Sequence, residues 1–193
     1  MKNKGNFFKN LSIAIVVALM GALLIASFFI PVIGPSETHK NEGVDKNYSC
    51  YDVVVAMNAT SMEDLSSSQI EAVFAVSKTE GEAGQLIRVV GVLGMINAMI
   101  GVAILICSIA TLFLKHNILR LASIGFAISA VCVSIAALAI ICSYLGISTE
   151  ALHPYSFYYS IHASSFVMLA AGLLAGAGSW FLGCFGKEKA KQE

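Results

Sequence analysis

Residues 89–114 read VVGVLGMINAMIGVAILICSIATLFL, a stretch of 26 residues that contains no Asp, Glu, Lys or Arg. Three further stretches lack those four residue types: Leu11–Gly34, Leu121–Thr149 and Ala151–Gly186, of 24, 29 and 36 residues. Each is longer than the roughly 20 apolar residues that a helix needs to cross a bilayer. Unsatisfied backbone groups are costly in hydrocarbon, so each stretch is expected to be helical. The sequence therefore predicts an all-α integral membrane protein with four transmembrane helices.

The composition agrees with a membrane protein and excludes other classes. The 193 residues are 57% hydrophobic and 12% charged, whereas soluble domains are about 45–50% apolar and about 25% charged. Twelve basic and twelve acidic side chains give a net charge of zero, which argues against nucleic acid as a partner. The low polarity excludes a disordered chain. The first partner that the composition predicts is the lipid bilayer.

Lys and Arg are unevenly distributed between the two sides of the predicted spans. Segments 1–10, 115–120 and 187–193 carry eight of these cations among 23 residues, whereas 34–88 and 147–154 carry four among 63. Because short loops rich in Lys and Arg stay on the cytoplasmic side of a membrane, both termini are expected in the cytoplasm. The predicted location is the plasma membrane, with several passes of the chain.

Spans and connections divide the chain into nine predicted segments. In chain order they are a cytoplasmic N-terminus 1–10, span one 11–33, an extracellular loop 34–86, span two 87–114, a cytoplasmic loop 115–118, span three 119–146, a short extracellular loop 147–156, span four 157–183 and a cytoplasmic tail 184–193. The loop 34–86 is the largest connection, so it is the part best able to present a specific surface.

Small residues are expected to hold the spans together, because membrane helices associate by close packing rather than by hydrophobic burial. They recur along all four spans: Ala14, Ala18 and Gly21 in the first, Gly91, Gly94, Ala98 and Gly101 in the second, Gly125, Ser129, Cys132, Ala136, Ala139 and Ser143 in the third, and Gly172 and Gly176 in the fourth. Alternating spacings of three and four are typical of a left-handed coiled coil. The pattern predicts a left-handed four-helix bundle. Either these stripes all pack within one chain, or the Gly172/Gly176 face recruits a second copy or a partner's helix.

The predicted extracellular loop 34–86 is acidic, with nine Asp and Glu against three Lys. Tyr51–Val55 is rich in β-branched residues, which predicts a short strand. Ser68 and Glu71 have the spacing of a capping box, which predicts a helix over 69–78. At about 53 residues the loop is too small for a core of its own. It is therefore expected to pack on the membrane domain or to become ordered on a partner.

The only Asp, Glu, Lys or Arg within the predicted spans are Arg88 and Arg120, each one residue inside an end of its span. The interior of the spans therefore carries no such charge, which argues against proton relays and ion-coupled carriers. Asn97 is the most polar side chain within that interior; we expect it to form a hydrogen bond between helices, and a pore-lining role is the alternative. No catalytic residue, metal site or cofactor is predicted, so the chain is not expected to be an enzyme. An enzyme would have to use interfacial groups: Glu150, His153, Tyr155 and His162.

Two cysteines have positions that suggest covalent chemistry. Cys50 lies in the predicted extracellular loop, where it could form a disulfide with Cys142 or with another chain, and where an impermeant thiol reagent would reach it. Cys184 lies at the cytoplasmic end of span four, a place suited to S-palmitoylation; a plain interfacial cysteine is the alternative.

The outline of the chain resembles that of claudin-like tetraspan proteins, with two cytoplasmic termini, a long first outer loop and a short second one. The resemblance stops at the outline, because the loop 34–86 has no Trp and only one cysteine, Cys50. The CCG motif of tetraspanins is also absent. The function expected is that of a non-enzymatic scaffold, accessory subunit or adaptor that binds another membrane protein or itself through its outer loop and the small-residue faces of its helices. The alternative is an oligomeric transporter or channel for a small or apolar solute, with a pore between copies near Asn97, Ser108 and Ser129.

Overall fold

A computed structural model describes residues 2–35, 47–61, 63, 65–77, 82–114, 117–151, 159–161 and 163–184. The described part is mostly helical. In chain order its elements are α1 (Lys2–Ser27), β1 (Pro31–Pro35), β2 (Tyr48–Ser49), α2 (Cys50–Asn58), α3 (Ser67–Ser77), α4 (Glu82–Phe113), α5 (Asn117–Ala151), β3 (Tyr159–Ile161) and α6 (Ala163–Cys184).

Four of these helices are long and apolar enough to cross a membrane. Their apolar windows are Phe8–Ser27 in α1, Gln85–Phe113 in α4, Asn117–Ser143 in α5 and Ser164–Leu182 in α6, with mean hydropathies of 2.3, 2.5, 2.6 and 1.7. Even the shortest window, of 19 residues, is about 28 Å long at 1.5 Å per residue, close to the thickness of the hydrocarbon core. The prediction of four helices long and apolar enough to span a membrane is confirmed.

The four long helices pack around one another in the cyclic order α1, α4, α5, α6. Helix α1 contacts α4 and α6, and helix α5 contacts the same two helices. We call the end of these helices that lies next to the β-strands the loop end, and the opposite end, near residues 10 and 182, the terminal end. Helices α2 and α3 lie at the loop end, where both contact α4.

Two clusters of buried side chains form the core. One lies among the long helices and consists of Val17, Leu24, Ile104, Ala127, Ala130, Met168, Ala171 and Ala175. The other lies at the loop end and combines residues of β1, β2, α2, α3, α4 and α5: Val32, Ile33, Tyr48, Cys50, Val53, Ala56, Ala72, Ile87, Val90 and Ile141. The described residues of the 34–86 segment therefore share a core with the long helices, and they do not form a separate domain.

A three-stranded antiparallel sheet covers the loop end, in the order β2–β1–β3. Residue Pro31 of β1 is paired with Ser49, and Ile33 is paired with Tyr48 on one side and Ile161 on the other. Helix α1 ends at Ser27 rather than continuing to the predicted residue 33, because the residue before a proline is disfavoured in helical conformation. Span four likewise begins at 163, after β3, and not at 157.

The predicted strand Tyr51–Val55 is wrong, because these residues belong to helix α2. A capping box starts the helix: the Asp52 amide donates to Ser49 Oγ at 3.2 Å, and the Ser49 amide donates to Asp52 Oδ2 at 2.8 Å. The buried residues Cys50, Val53 and Ala56 have helical spacing. Capping and burial of one face together outweigh the strand preference of three consecutive valines, since β-propensity depends strongly on context.

A helix follows at α3, as predicted, but its cap lies two residues earlier than expected. The Ser66 amide donates to Gln69 Oε1 at 2.9 Å, and the Gln69 amide donates to Ser66 Oγ at 3.4 Å. The Ser68 hydroxyl instead donates to Asp52 Oδ1 at 3.3 Å. The Asp52 carboxylate therefore joins the first turns of α2 and α3.

Candidate functional site

The small residues of α4 do not serve one partner helix but two. A Cβ atom built on Gly94 would lie 2.5 Å from Cβ and Sγ of Cys50, and one on Gly91 would lie 2.7 Å from Val53 Cγ1. Both neighbours belong to α2. These two glycines were predicted to pack the spans together. In the structure they form the surface of α4 on which the short helix α2 packs, and we call this surface the seat. A side chain at either position would clash with α2.

Further along α4, the same stripe contacts α1. A Cβ atom on Gly101 would lie 2.7 Å from the carbonyl oxygen of Gly21 and 2.9 Å from Leu24 Cβ. Ala98, between the two contact regions, is half-buried. Helix α1 therefore covers the part of α4 nearer the terminal end, and α2 covers the part nearer the loop end.

The glycines of α6 face the interior of the same chain. A Cβ atom on Gly172 would lie 3.1 Å from Val131 Cγ2, and one on Gly176 would lie 3.5 Å from Ala127 Cβ. Both neighbours are on α5, so α5 occupies the face that was offered as an alternative docking surface. Gly178 makes a closer contact, 2.7 Å from Val17 Cγ2 of α1, and no regular spacing in the sequence singled it out.

Helix α5 carries two stripes of small residues, and the predicted one faces outward. A Cβ atom on Gly125 would meet no atom within 4 Å. The other members of this outward stripe are exposed as well: Ser129, Cys132, Ala136, Ala139 and Ser143. The opposite face is buried and is also built mainly of small residues: Ser123, Ala127, Ala130, Ser134, Ala137 and Ile141. The predicted stripe on α5 therefore faces away from the other long helices, and the opposite face packs against them.

Asn97 links two of the long helices by a buried hydrogen bond. Its Nδ2 donates to Ser134 Oγ of α5 at 2.9 Å, and that hydroxyl donates to the carbonyl of Ala130 at 2.7 Å. The Asn97 side chain is 1% exposed, and its Oδ1 has no hydrogen-bond partner. Ser108 is buried too, whereas Ser129 is exposed, so the three residues proposed to line a pore between copies do not share a surface.

Two further polar contacts, one between two helices and one between a helix and a strand, were not predicted. The hydroxyls of Ser123 and Ser179 lie 2.8 Å apart between α5 and α6, both buried. The Ser164 hydroxyl of α6 donates to the carbonyl of Pro31, which joins the start of α6 to β1. Serines are common in these helices, so the sequence offers no signal that selects these pairs.

The described cysteines are free thiols, and Cys50 and Cys142 do not form a disulfide. Cys50 is 1% exposed. Burial raises the pKa of the Cys50 thiol to about 12, and the charge of Asp52 contributes in the same direction. Cys50 is therefore a poor target for thiol reagents, contrary to the expectation from its loop position. Helix α6 ends at Cys184, and the side chain of Cys184 lies outside the described part of the structure.

Across the described residues, no group of three or more His, Cys, Asp or Glu side chains could hold a metal ion. Glu150 lies in α5 without a described side chain, and His153, Tyr155 and His162 are outside the described residues. An open depression of about 370 Å³ lies at the end of α2, lined by Val54, Val55, Asn58, Ala59, Thr60, Ser61 and Leu65. Its walls offer hydroxyl and amide groups but none of the usual acid–base side chains.

Comparison with protein-family models, with curated proteins and with solved structures finds no match to this chain. The arrangement of the helices therefore has to be interpreted from its own geometry.

Proposed function

We propose that this chain is a left-handed four-helix membrane protein that acts as a non-enzymatic scaffold or accessory subunit. Its binding surface is the outward stripe of α5, which receives a transmembrane helix of a second copy or of another membrane protein. The observation that carries this proposal is the exposure of Gly125 together with the five small residues that continue its stripe. On α4 and α6, by contrast, the predicted glycines contact neighbours in the same chain.

In lipid, burial of apolar side chains gives little free energy for helix association, because lipid tails are as apolar as the side chains. How closely two helix backbones can approach therefore decides which faces pair. Large side chains on a helix keep a partner's backbone at a distance, and the outward stripe lacks them. Its serines are internally satisfied: Ser129 Oγ donates to the Gly125 carbonyl at 3.0 Å, and Ser143 Oγ donates to the Ala139 carbonyl at 2.9 Å. A partner helix can therefore approach without having to supply hydrogen bonds.

Cys132 provides a native probe of this surface, because it lies exposed in the middle of the stripe. In native membranes, a membrane-permeant oxidant such as iodine should join Cys132 by a disulfide to a cysteine at the same depth in a neighbouring chain, with iodine reduced to iodide and both thiol protons released. Mass spectrometry would identify that chain as a second copy or as another protein. Extraction in polymer-bounded nanodiscs should recover the same complex. Recovery of the single chain without any partner, with no Cys132 cross-link, would contradict the proposal.

A matched pair of substitutions separates docking from general damage. Ala136 lies in the stripe on α5, whereas Ala170 is an exposed alanine on α6. Ala136→Leu places a branched side chain between the two helices and should abolish the complex. Ala170→Leu adds the same side chain to a lipid-facing position and should leave the complex intact. Equal effects of the two substitutions would remove the stripe as the binding surface.

For the location, we propose the plasma membrane with the loop end outside the cell and both termini in the cytoplasm. The support is the concentration of Lys and Arg at the terminal end, according to the positive-inside rule. Thr60 is exposed beyond the end of α2, so Thr60→Cys should react with an impermeant maleimide on intact cells. If this variant reacts only after the cells are opened, the orientation is reversed.

A further inference from the structure

Helix α2 begins next to the end of α1. It packs against the part of α4 that follows the part in contact with α1. The Tyr51 amide donates to the carbonyl of Phe28 at 3.0 Å. From there α2 follows α4 away from the terminal end, with Cys50 against Gly94 and Val53 against Gly91. The first turn of α2 therefore lies at the depth at which α1 ends.

If α1 crosses the bilayer, that depth is close to one limit of the hydrocarbon core. Lys9 is the last charged residue of α1, and the charge-free stretch that follows begins at Leu11. About 20 residues counted from Leu11, or about 30 Å, cross the core. When α1 spans this core, the residues from Ser27 to Ile30 lie near its loop-end limit. The rings of Phe28 and Phe29 lie 5.9 and 5.2 Å from the ring of Tyr51, so all three aromatic side chains lie at that limit.

Exposed apolar side chains lie on α1, on the turn that follows it and on the first turn of α2. Leu19, Leu23 and Ala26 are exposed along one face of α1, and Phe29 and Ile30 continue this face beyond the helix. Phe29 is 57% exposed and Tyr51 is 40% exposed. Aromatic rings with a polar edge are most favourable at the boundary between hydrocarbon and headgroups.

The single charge of α2 is compatible with this depth. Both oxygens of the Asp52 carboxylate are hydrogen-bonded: Oδ2 accepts from the amide and the hydroxyl of Ser49 at 2.8 and 2.7 Å, and Oδ1 accepts from Ser68 Oγ at 3.3 Å. A charged group with such partners can lie near an apolar boundary, whereas an unpaired charge there would be costly.

We propose that Phe29, Ile30 and Tyr51 form a membrane-docking surface, which we call the loop-end patch, and that its occupant is the bilayer leaflet on that side. Helix α2 then lies within the headgroup layer, with its first turn at the hydrocarbon limit. Asn58, seven residues after Tyr51, lies about 10 Å farther from the hydrocarbon. The segment between α1 and α4 is thus fixed to the membrane surface through α2.

Single-tryptophan variants in lipid vesicles test this depth. The only native tryptophan, Trp180, is replaced by Phe, and Trp is then introduced by Tyr51→Trp, Phe29→Trp or Thr60→Trp. Each full-length variant is reconstituted into phosphatidylcholine vesicles with plain acyl chains or with acyl chains brominated near the glycerol. We expect bromine to quench Tyr51→Trp and Phe29→Trp about twofold more than Thr60→Trp, because Thr60 lies beyond the hydrocarbon core.

The emission wavelength identifies the occupant if quenching is weak. Blue-shifted emission from Tyr51→Trp without bromine quenching would mean that protein covers the patch, and red-shifted emission would mean that water does. Either result overturns the proposal. Phe29→Trp keeps the test decisive should Tyr51→Trp disturb the contact between α2 and α1.

Discussion

Gly21 of α1 and Gly101 of α4 bring the backbones of two spanning helices into direct contact. A Cβ atom on Gly21 would lie 2.8 Å from the carbonyl oxygen of Gly101, and a Cβ atom on Gly101 would lie 2.7 Å from the carbonyl oxygen of Gly21. The relationship is reciprocal, and both obstructing atoms belong to backbone. Backbone cannot rotate away as a side chain can, so this crossing sets the distance between α1 and α4.

Replacement of either glycine by alanine should therefore destabilise the protein. Gly101→Ala and Gly21→Ala each force the two helices apart, and we expect a loss of about 1–3 kcal/mol in the free energy of unfolding, as for other overpacked interiors. Reversible unfolding in mixed micelles with increasing SDS, followed by circular dichroism, measures the change.

Gly125→Ala is the matched control for these substitutions. A Cβ atom at Gly125 meets nothing within 4 Å, so this variant should be as stable as the wild type or gain up to about 1 kcal/mol from helix propensity. A loss at Gly125 as large as that at Gly101 would show that the method measures helix composition rather than the contact.

The hydrogen bond between Asn97 and Ser134 should contribute a measurable coupling energy. A double-mutant cycle with Asn97→Leu and Ser134→Ala removes each partner separately and then together. We expect a coupling of about 0.6–1.7 kcal/mol, the range for hydrogen bonds between membrane helices. Asn97 Oδ1 has no partner, and Asn97→Leu removes this buried acceptor, so the loss for that single variant should be small.

Ser143→Ala is the control variant for this double-mutant cycle. The Ser143 hydroxyl is exposed and donates to the Ala139 carbonyl of its own helix, so Ser143→Ala combined with Asn97→Leu should show no coupling. If Ser134→Ala couples no more strongly than Ser143→Ala, the hydrogen bond does not link α4 and α5 in the membrane.

The raised pKa of Cys50 predicts that the free energy of unfolding decreases at alkaline pH. Its pKa rises from 9.0 to about 12 in the folded protein, because burial and the Asp52 charge both oppose the thiolate. The unfolded chain therefore releases the proton at lower pH than the folded chain, and stability falls as the pH increases from about 9 towards 12. Comparison of wild type with Cys50→Ala by SDS unfolding at pH 8 and pH 10.5 isolates this effect, since the variant lacks the thiol.

The reactivity of Cys50 gives a second measurement of the same state. At pH 8 the native protein should react with maleimide far more slowly at Cys50 than the unfolded chain does, because the thiol is buried and protonated. Fast labelling of the folded protein would show that α2 leaves its seat on α4.

The number of spanning helices was predictable because uncharged stretches of 24 residues or more have few alternatives to a transmembrane helix. Residues 51–55 were not predictable from their β-branched side chains. The deciding features were the Ser49–Asp52 capping box, which is readable in the sequence, and the seat on Gly91 and Gly94, which is not. Distant glycines and a nearby cap together determine a helix where local preference indicates a strand.

The orientation of α5 shows a different limit of sequence analysis. Spacing identifies which residues share a helix face. It does not say whether that face packs against other helices or contacts lipid, because the interior of the bundle and the lipid are equally apolar. On α5 the ambiguity is complete, since Ser123, Ala127 and Ala130 have the same small size and spacing as Gly125, Ser129 and Cys132. Only the positions of α4 and α6 separate the two stripes.

The chain returns to the end of α1 after the connection between β1 and β2. Pro31 is paired with Ser49, and the Tyr51 amide donates to the carbonyl of Phe28. The two described ends of the connection between β1 and β2 are therefore held next to each other. Lengthening such a connection is inexpensive, about 0.6 kcal/mol for each doubling. Evolution is free to shorten, extend or rewrite that stretch while α2 keeps its place on α4, so homologous chains should differ most there and least at the glycines of the seat.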